Sequence, residues 1–81
     1  MAKKNELEYG PVYIAKGEFK GKIGYYDCEE GGKAIVYLGA PFVSPGYFLP
    51  FRDLEPLGNV SSVEIEKFRR DNAELCRMMG V

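Results

Sequence analysis

The pattern of hydrophobic and polar positions indicates short strands up to residue 57 and a helix after it. Val12 and Ile14 alternate with Tyr13 and Ala15, which is typical of a strand with one buried face. The run 33–38 is apolar at neighbouring positions and rich in β-branched residues, which predicts a central strand covered on both sides. Further strands are predicted at 22–28, 47–51 and 55–57, with turns at 16–21 and 29–32 and a loop at 39–46.

A helix is predicted near the C-terminus. Ser61 and Glu64 have the spacing of a capping box, and Gly80 is a typical C-terminal stop. The apolar face of this helix, which Asn72 interrupts, carries Ile65, Phe68, Leu75 and Met79. At 3.6 residues per turn the helix would have about four turns with one apolar stripe.

These elements divide the chain into three parts. A polar N-terminal arm is expected at 1–9, a unit of five short strands at 10–57 and the amphipathic helix at 61–79. We therefore expect a mainly β fold whose helix packs on the strands or in an oligomer interface. A chain of 81 residues is near the lower end of what folds alone, so assembly into a homo-oligomer would add stability.

The composition is that of a folded protein with balanced charge. The chain is 46% hydrophobic and 28% charged, with a net charge of −1, which is too apolar for disorder. Affinity for nucleic acid comes largely from neutralised phosphates, so this balance does not favour strong autonomous binding to RNA or DNA. Aromatic residues reach 14%, and small Tyr-rich domains often use part of that surface for contacts with partners.

The residue inventory excludes several kinds of catalysis. The chain has no histidine, which removes Ser-His-Asp and Cys-His catalysis and the usual His-bearing zinc sites. Cys28 and Cys76 are far apart with no CxxC spacing, so we expect free buried thiols and a cytoplasmic location. The longest apolar run, at 34–38, is too short for a bilayer. We therefore predict no metal, no cofactor, no membrane contact and no enzymatic activity.

Three glycines, Gly17, Gly21 and Gly24, lie in a lysine-rich stretch that raises the question of phosphate binding. A P-loop requires four residues between its glycines and a Ser or Thr after its lysine. Here three residues separate Gly17 from Gly21, and Ile23 follows Lys22. A dinucleotide-binding loop requires a helix after the glycines, whereas a strand is predicted there. The glycines therefore indicate a tight turn, and the lysines around it contact either a partner or only water.

The glycine spacing is similar to that of the KOW motif, which occurs in ribosomal proteins and in the C-terminal domains of NusG-type transcription-elongation factors. The residues that carry this resemblance are Val12, Ile14, Gly17, Phe19, Gly21, Lys22, Ile23 and Gly24. The resemblance extends through 33–39 to 50–57 and implies a five-stranded SH3-like barrel over 10–57, with Phe19 folded back over one end. It also implies an RNA, DNA or ribonucleoprotein binder, whose contacts would come from Lys16, Lys20, Lys22 and Lys33, with Tyr25 or Tyr26 for stacking.

A second resemblance concerns the end of the strand region. The segment SPGYFLPFRDLEPL at 44–57 is similar in layout to the tail of the small plasmid-borne dihydrofolate reductases, which assemble their site at a tetramer pore. The Val-Gln-Ile-Tyr stretch of that family is replaced here by 47–51, so no site residue is carried over. This resemblance implies, as a second alternative, an oligomeric reductase-like enzyme of the pore type.

The function that these features favour is a non-catalytic module that binds a protein partner. Aromatic side chains on one face of a small β unit can form a peptide groove or an oligomer contact. The predicted partner-binding residues are Lys16, Lys20, Lys22, Tyr25, Tyr26, Tyr37 and Tyr47. The residues predicted for helix packing or an oligomer interface are Ile65, Phe68, Leu75 and Met79. The size and style of the sequence suggest an accessory protein of a bacterium, a phage or a mobile element.

Overall fold

The computed structural model describes residues 7–39 and 45–80, except for the side chain of Met79. Within these residues the chain forms five β-strands, two short 3₁₀ turns and two α-helices. The strands are β1 (Gly10–Ile14), β2 (Ile23–Glu30), β3 (Lys33–Tyr37), β4 (Gly46–Leu49) and β5 (Leu54–Pro56). The 3₁₀ turns span Phe51–Asp53 and Leu57–Asn59, and the helices are α1 (Ser62–Asp71) and α2 (Ala73–Met79). The predicted loop at 39–46 falls largely on residues 40–44, which lie outside the described residues.

The strands form one antiparallel sheet with the order β4-β3-β2-β1-β5. β1 pairs with β2 and β5, and β3 pairs with β2 and β4. β4 and β5 are the two edges of the sheet, and no ladder joins them within the described residues. The predicted mainly β class with a C-terminal helical segment is confirmed. The arrangement is compatible with a small β-barrel that hydrogen bonds do not close.

A two-residue turn joins β2 to β3 within the predicted turn at 29–32, and β2 extends two residues further than predicted, to Glu30. Gly31 and Gly32 have φ angles of 60° and 79°, a conformation that glycine adopts without steric cost. Glu30 is paired with Lys33 at the base of this turn, so opposite charges face each other across the strands. A bulge further along β2 shifts the register and bends that strand.

Two apolar cores lie on the two faces of the sheet. The main core consists of the buried residues Leu7, Val12, Ile14, Tyr26, Ala34, Val36 and Leu54, with Phe19, Leu38, Leu49 and Phe51 partly buried against them. The second core consists of Ile23, Phe68 and Cys76, with Tyr13, Tyr25, Leu57, Ile65 and Leu75 packed around them. Because side chains alternate along a strand, β1 places Val12 and Ile14 in the main core and Tyr13 in the second.

The helical segment packs on the outer face of β1 and β2. Phe68 of α1 is buried against Ile23 of β2, and Ile65 and Leu75 are partly buried beside them. Ser61 is the N-cap of α1, where its Oγ accepts a hydrogen bond from the Glu64 N–H at 3.4 Å. The helix therefore begins where the capping pattern predicts, and its apolar stripe contributes to the second core.

The predicted single helix is interrupted at Asn72. Its φ of −137° and ψ of 47° are not helical, and its side-chain Nδ2 donates a hydrogen bond to the Phe68 carbonyl oxygen at 3.2 Å. Short polar side chains compete in this way with the helix's own backbone hydrogen bonds, so the chain turns between α1 and α2. Gly80 then ends α2 in the left-handed conformation, with φ 80°. Met79 belongs to α2, but its side chain is outside the described part.

Residues 7–9 belong to the packed fold, although the sequence assigns them to a polar arm. Leu7 is buried in the main core. The ring of Tyr9 packs on that of Tyr26, with the ring centroids 5.0 Å apart. Residues 1–6 of the predicted arm lie outside the described residues.

Candidate functional site

Residues 16–22, which follow Ala15 in the connection between β1 and β2, are called the Phe19 turn below. It is anchored where the Ala15 N–H donates to the Asp53 carbonyl oxygen at 2.7 Å, which ties the base of the turn to the 3₁₀ turn before β5. Gly17 and Gly21 have φ angles of 90° and 92°, which side chains other than glycine rarely tolerate. Two of the three glycines that the sequence singled out, Gly17 and Gly21, therefore shape a tight turn, whereas Gly24 lies in β2.

The Phe19 turn lies against edge strand β4. The ring of Phe19 packs on the ring of Tyr47, with centroids 4.7 Å apart and ring planes at 54°. Tyr47 keeps 38% of its surface exposed. The charged side chains of the turn, all exposed, are Lys16, Glu18, Lys20 and Lys22. The structure thus brings the predicted lysines and Tyr47 to the same end of the sheet.

The other predicted tyrosines lie on different faces. Tyr25 of β2 is the cross-strand partner of Tyr37 of β3, and both are partly exposed on the outer face, where Tyr25 packs against the second core. Tyr26 lies in the main core with only 3% of its surface exposed. Its ring contacts Phe51 edge-on at a centroid distance of 5.8 Å, so it is not available to a partner and we leave it out of the candidate surface.

Strand β4 adds an exposed aromatic residue, Phe48, which is not among the predicted partner-binding residues. Phe48 keeps 57% of its surface exposed and is paired with Ile35 on the outer face. Tyr47 is paired with Val36, whose side chain lies in the main core, so Tyr47 and Phe48 point to opposite sides of the strand. Pro50, which favours a sheet edge, was the one signal in the sequence that this strand could lie at the edge and leave Phe48 exposed.

The outer face near β4 is closely packed beneath the exposed Phe48. A Cβ atom added at Gly46 would lie 3.0 Å from Cγ2 of Ile35 and 3.3 Å from Cε1 of Tyr37. Ile35 and Tyr37 therefore lie over the backbone of β4, and glycine at 46 permits this close approach. The result is an apolar strip on the outer face formed by Ile35, Tyr37 and Phe48.

The two edges of the sheet differ in their chemistry. β5 has three residues and includes Glu55 and Pro56, and charge and proline are features that discourage pairing with another strand. A groove of about 400 Å³ lies beside it, between residues 8–12 and 56–58. β4 reads GYFL and carries neither charge nor proline. Pro45 and Pro50 flank it directly. In the described part of the chain it pairs with β3 alone, so of the two edges its outer edge is the better suited to receive a strand.

The two thiols are free and protonated at neutral pH. Burial raises the pKa of the Cys76 thiol. Partial burial, and then the neighbouring Asp27 carboxylate, raise the pKa of the Cys28 thiol. A nucleophilic cysteine requires the opposite shift. Cys76 is buried as predicted, whereas Cys28 is only partly buried.

Residues 7–39 and 45–80 contain neither a metal-binding cluster nor a membrane-spanning helix. No three His, Cys, Asp or Glu side chains in these ranges come close enough together to hold a metal ion. No helix in them has the length and apolar character needed to cross a membrane.

No protein-family model matches the chain, and neither a curated protein nor a solved structure matches it significantly. The class that the structure defines is therefore a small, mainly β protein with a five-stranded antiparallel sheet and a C-terminal helical segment.

Proposed function

We propose that this protein is a non-catalytic binding module that takes up an extended segment of a partner protein along the outer edge of β4. The observation that carries the proposal is the pair of exposed aromatic side chains on an uncharged edge strand. Tyr47 and Phe48 are 38% and 57% exposed and lie on opposite sides of β4.

The physical reason is the backbone of an edge strand. Within the described residues the outward N–H and C=O groups of β4 have no strand partner. Such groups form hydrogen bonds readily with an added strand, which gives affinity, while side chains on the two faces give specificity. An added strand would also cover part of Phe48 and Tyr47. Covering one such aromatic side chain contributes about 1–2 kcal/mol, since full burial of a large apolar side chain contributes somewhat more.

The experiment compares three forms of the immobilised protein in nuclease-treated native lysate: the parent, Phe48→Lys and Val63→Lys. Val63 lies on α1 with 74% of its surface exposed, so its replacement makes the same chemical change away from β4. A partner that the parent and Val63→Lys capture equally and that Phe48→Lys loses supports the proposal. Equal capture of every protein by all three forms contradicts it.

A second candidate function is binding of RNA or DNA through the Phe19 turn. The specific observation that favours it is the exposure of Lys16, Lys20 and Lys22 beside the exposed ring of Tyr47, because lysines and a stacking aromatic residue are the elements of a single-strand binding surface. Binding of an oligonucleotide by the parent at low salt, lost in the triple variant Lys16→Glu/Lys20→Glu/Lys22→Glu, supports this alternative. No binding at low salt removes it.

A further inference from the structure

The two sides of β4 present different chemistry to a strand placed beside it. The outer side carries the apolar strip of Ile35, Tyr37 and Phe48. The other side carries Tyr47 and, packed on it, the Phe19 turn. A strand beside β4 would alternate its side chains between these two environments, because successive residues of a strand point to opposite faces.

The Phe19 turn has an excess of positive charge. It carries the exposed side chains of Lys16, Lys20 and Lys22 against the single acid Glu18. A second carboxylate, that of Asp53, lies at the base of the turn, within 3.5 Å of the position of a Cβ atom on Gly17. The lysines thus outnumber the nearby acids, and carboxylates on an added strand would complement them.

We propose that the segment received by β4 is acidic at alternate positions, with apolar residues between them. This inference rests on the proposed function and names the chemistry of the partner. The carboxylates face the Phe19 turn, and the apolar side chains cover the strip around Phe48. A second copy of this chain fits less well, because a two-fold axis beside Tyr47 would bring each Phe19 turn and its lysines towards the same lysines of the other copy.

The test measures the affinity of fluorescein-labelled octapeptides by fluorescence anisotropy. The probes are (Val-Glu)₄, the neutral (Val-Ser)₄, the basic (Val-Lys)₄, a (Val-Glu)₄ peptide with proline in place of one central valine, and a dT12 oligonucleotide. The protein forms are the parent, Phe48→Lys, and Lys16→Glu/Lys20→Glu/Lys22→Glu. The matched control is Lys67→Glu/Arg70→Glu/Arg77→Glu, which makes the same change in net charge at exposed positions of the helices.

The expected result is that (Val-Glu)₄ binds the parent most tightly and that rising salt weakens it. Reversal of the three turn lysines weakens this binding about tenfold, the combined size expected of three exposed ion pairs. The helix control variant binds (Val-Glu)₄ with an affinity near that of the parent. Phe48→Lys weakens the binding, because it removes part of the apolar strip. The proline-containing peptide also binds less tightly to the parent, because proline cannot donate to a ladder.

Four results would overturn the inference. Equal binding of (Val-Ser)₄ and (Val-Glu)₄, both weakened by Phe48→Lys, would leave strand docking intact and remove the acidic preference. An equal loss of affinity in the two triple variants would show that binding depends on the net charge of the protein and not on the lysines of the Phe19 turn. Undiminished binding of the proline-containing peptide would show that the peptide does not bind as an added strand, which would contradict the proposed function as well. Binding of dT12 alone would favour the nucleic-acid alternative.

Discussion

The ring of Phe19 packs against the ring of Tyr47, with centroids 4.7 Å apart and planes tilted by 54°. This contact joins the turn between β1 and β2 to the edge strand β4, although β2 and β3 separate the two in sequence. It places the three lysines of the turn beside the strand edge that we propose for partner docking. The position of the turn against β4 is therefore set by this ring contact together with the hydrogen bond from Ala15 to Asp53 at its base.

Removal of that pair should loosen the turn and destabilise the protein. Phe19→Ala is expected to lower the free energy of unfolding by about 1–3 kcal/mol, less than the loss for a fully buried phenylalanine, because Phe19 is only partly buried. Phe48→Ala, at a more exposed position on β4, should lower the free energy of unfolding much less. Urea unfolding followed by circular dichroism measures both values, and equal losses would contradict the packing role of Phe19.

Gly24 should not tolerate a side chain. A Cβ atom there would overlap Cγ1 of Val36 and lie 3.0 Å from the Tyr37 carbonyl oxygen. Gly24→Ala is therefore expected to destabilise the fold by at least about 1–3 kcal/mol, the usual cost of overpacking. Gly58→Ala is the matched control, since nothing lies within 4 Å of a Cβ at that glycine. Similar unfolding curves for the two variants would show that β2 and β3 are not packed as described.

The capping interaction at the start of α1 should be measurable. Ser61→Ala removes the acceptor of the Glu64 N–H and is expected to cost about 1 kcal/mol of unfolding free energy. Ser62→Ala makes the same change one residue later, inside the helix, and should stay within about 0.5 kcal/mol of the parent, as surface substitutions usually do. If Ser62→Ala were the more damaging change, the helix would begin elsewhere.

The buried thiol of Cys76 should make stability depend on alkaline pH. Burial raises the pKa of this thiol above its ordinary value of 9.0, so the folded state keeps a proton that the unfolded chain loses. The corresponding stability is fully present below pH 9 and falls as pH rises through the raised pKa. The difference in unfolding free energy between the parent and Cys76→Ala should therefore shrink between pH 7 and pH 10. The difference between the parent and Gly58→Ala, which keeps Cys76, should stay constant over the same pH range. If both differences changed in the same way, the pH dependence would not come from Cys76.

The parts of the fold that the sequence predicts well depend on local chemistry. The Gly31-Gly32 turn and the start of α1 at Ser61 follow from residue types over a few positions, because turns and caps require particular backbone angles or acceptors. The mainly β class follows from the alternation around Val12. These features can be predicted without knowing which strands and helices contact each other in the fold.

The parts that the sequence did not predict depend on contacts between distant segments. Tyr25 and Tyr26 are chemically alike neighbours, so alternation alone does not say which one faces the main core. The ladder with β3 and the ring contacts of Tyr26 settle that question. Helical spacing continues on both sides of Asn72, so the break appears only in its backbone angles and its hydrogen bond to Phe68. Exposure of Phe48 is visible only once β4 is known to be the sheet edge.

The most direct test of the proposed docking edge is amide hydrogen exchange at Gly46–Leu49, measured by NMR in the free protein and in the complex with the captured partner. Pairing with an added strand predicts that the outward-facing amides of β4 exchange at least about tenfold more slowly in the complex, because those N–H groups gain hydrogen bonds. The amides of β5 should be unchanged. Unchanged exchange along β4, with protection appearing at another surface, would contradict the proposal.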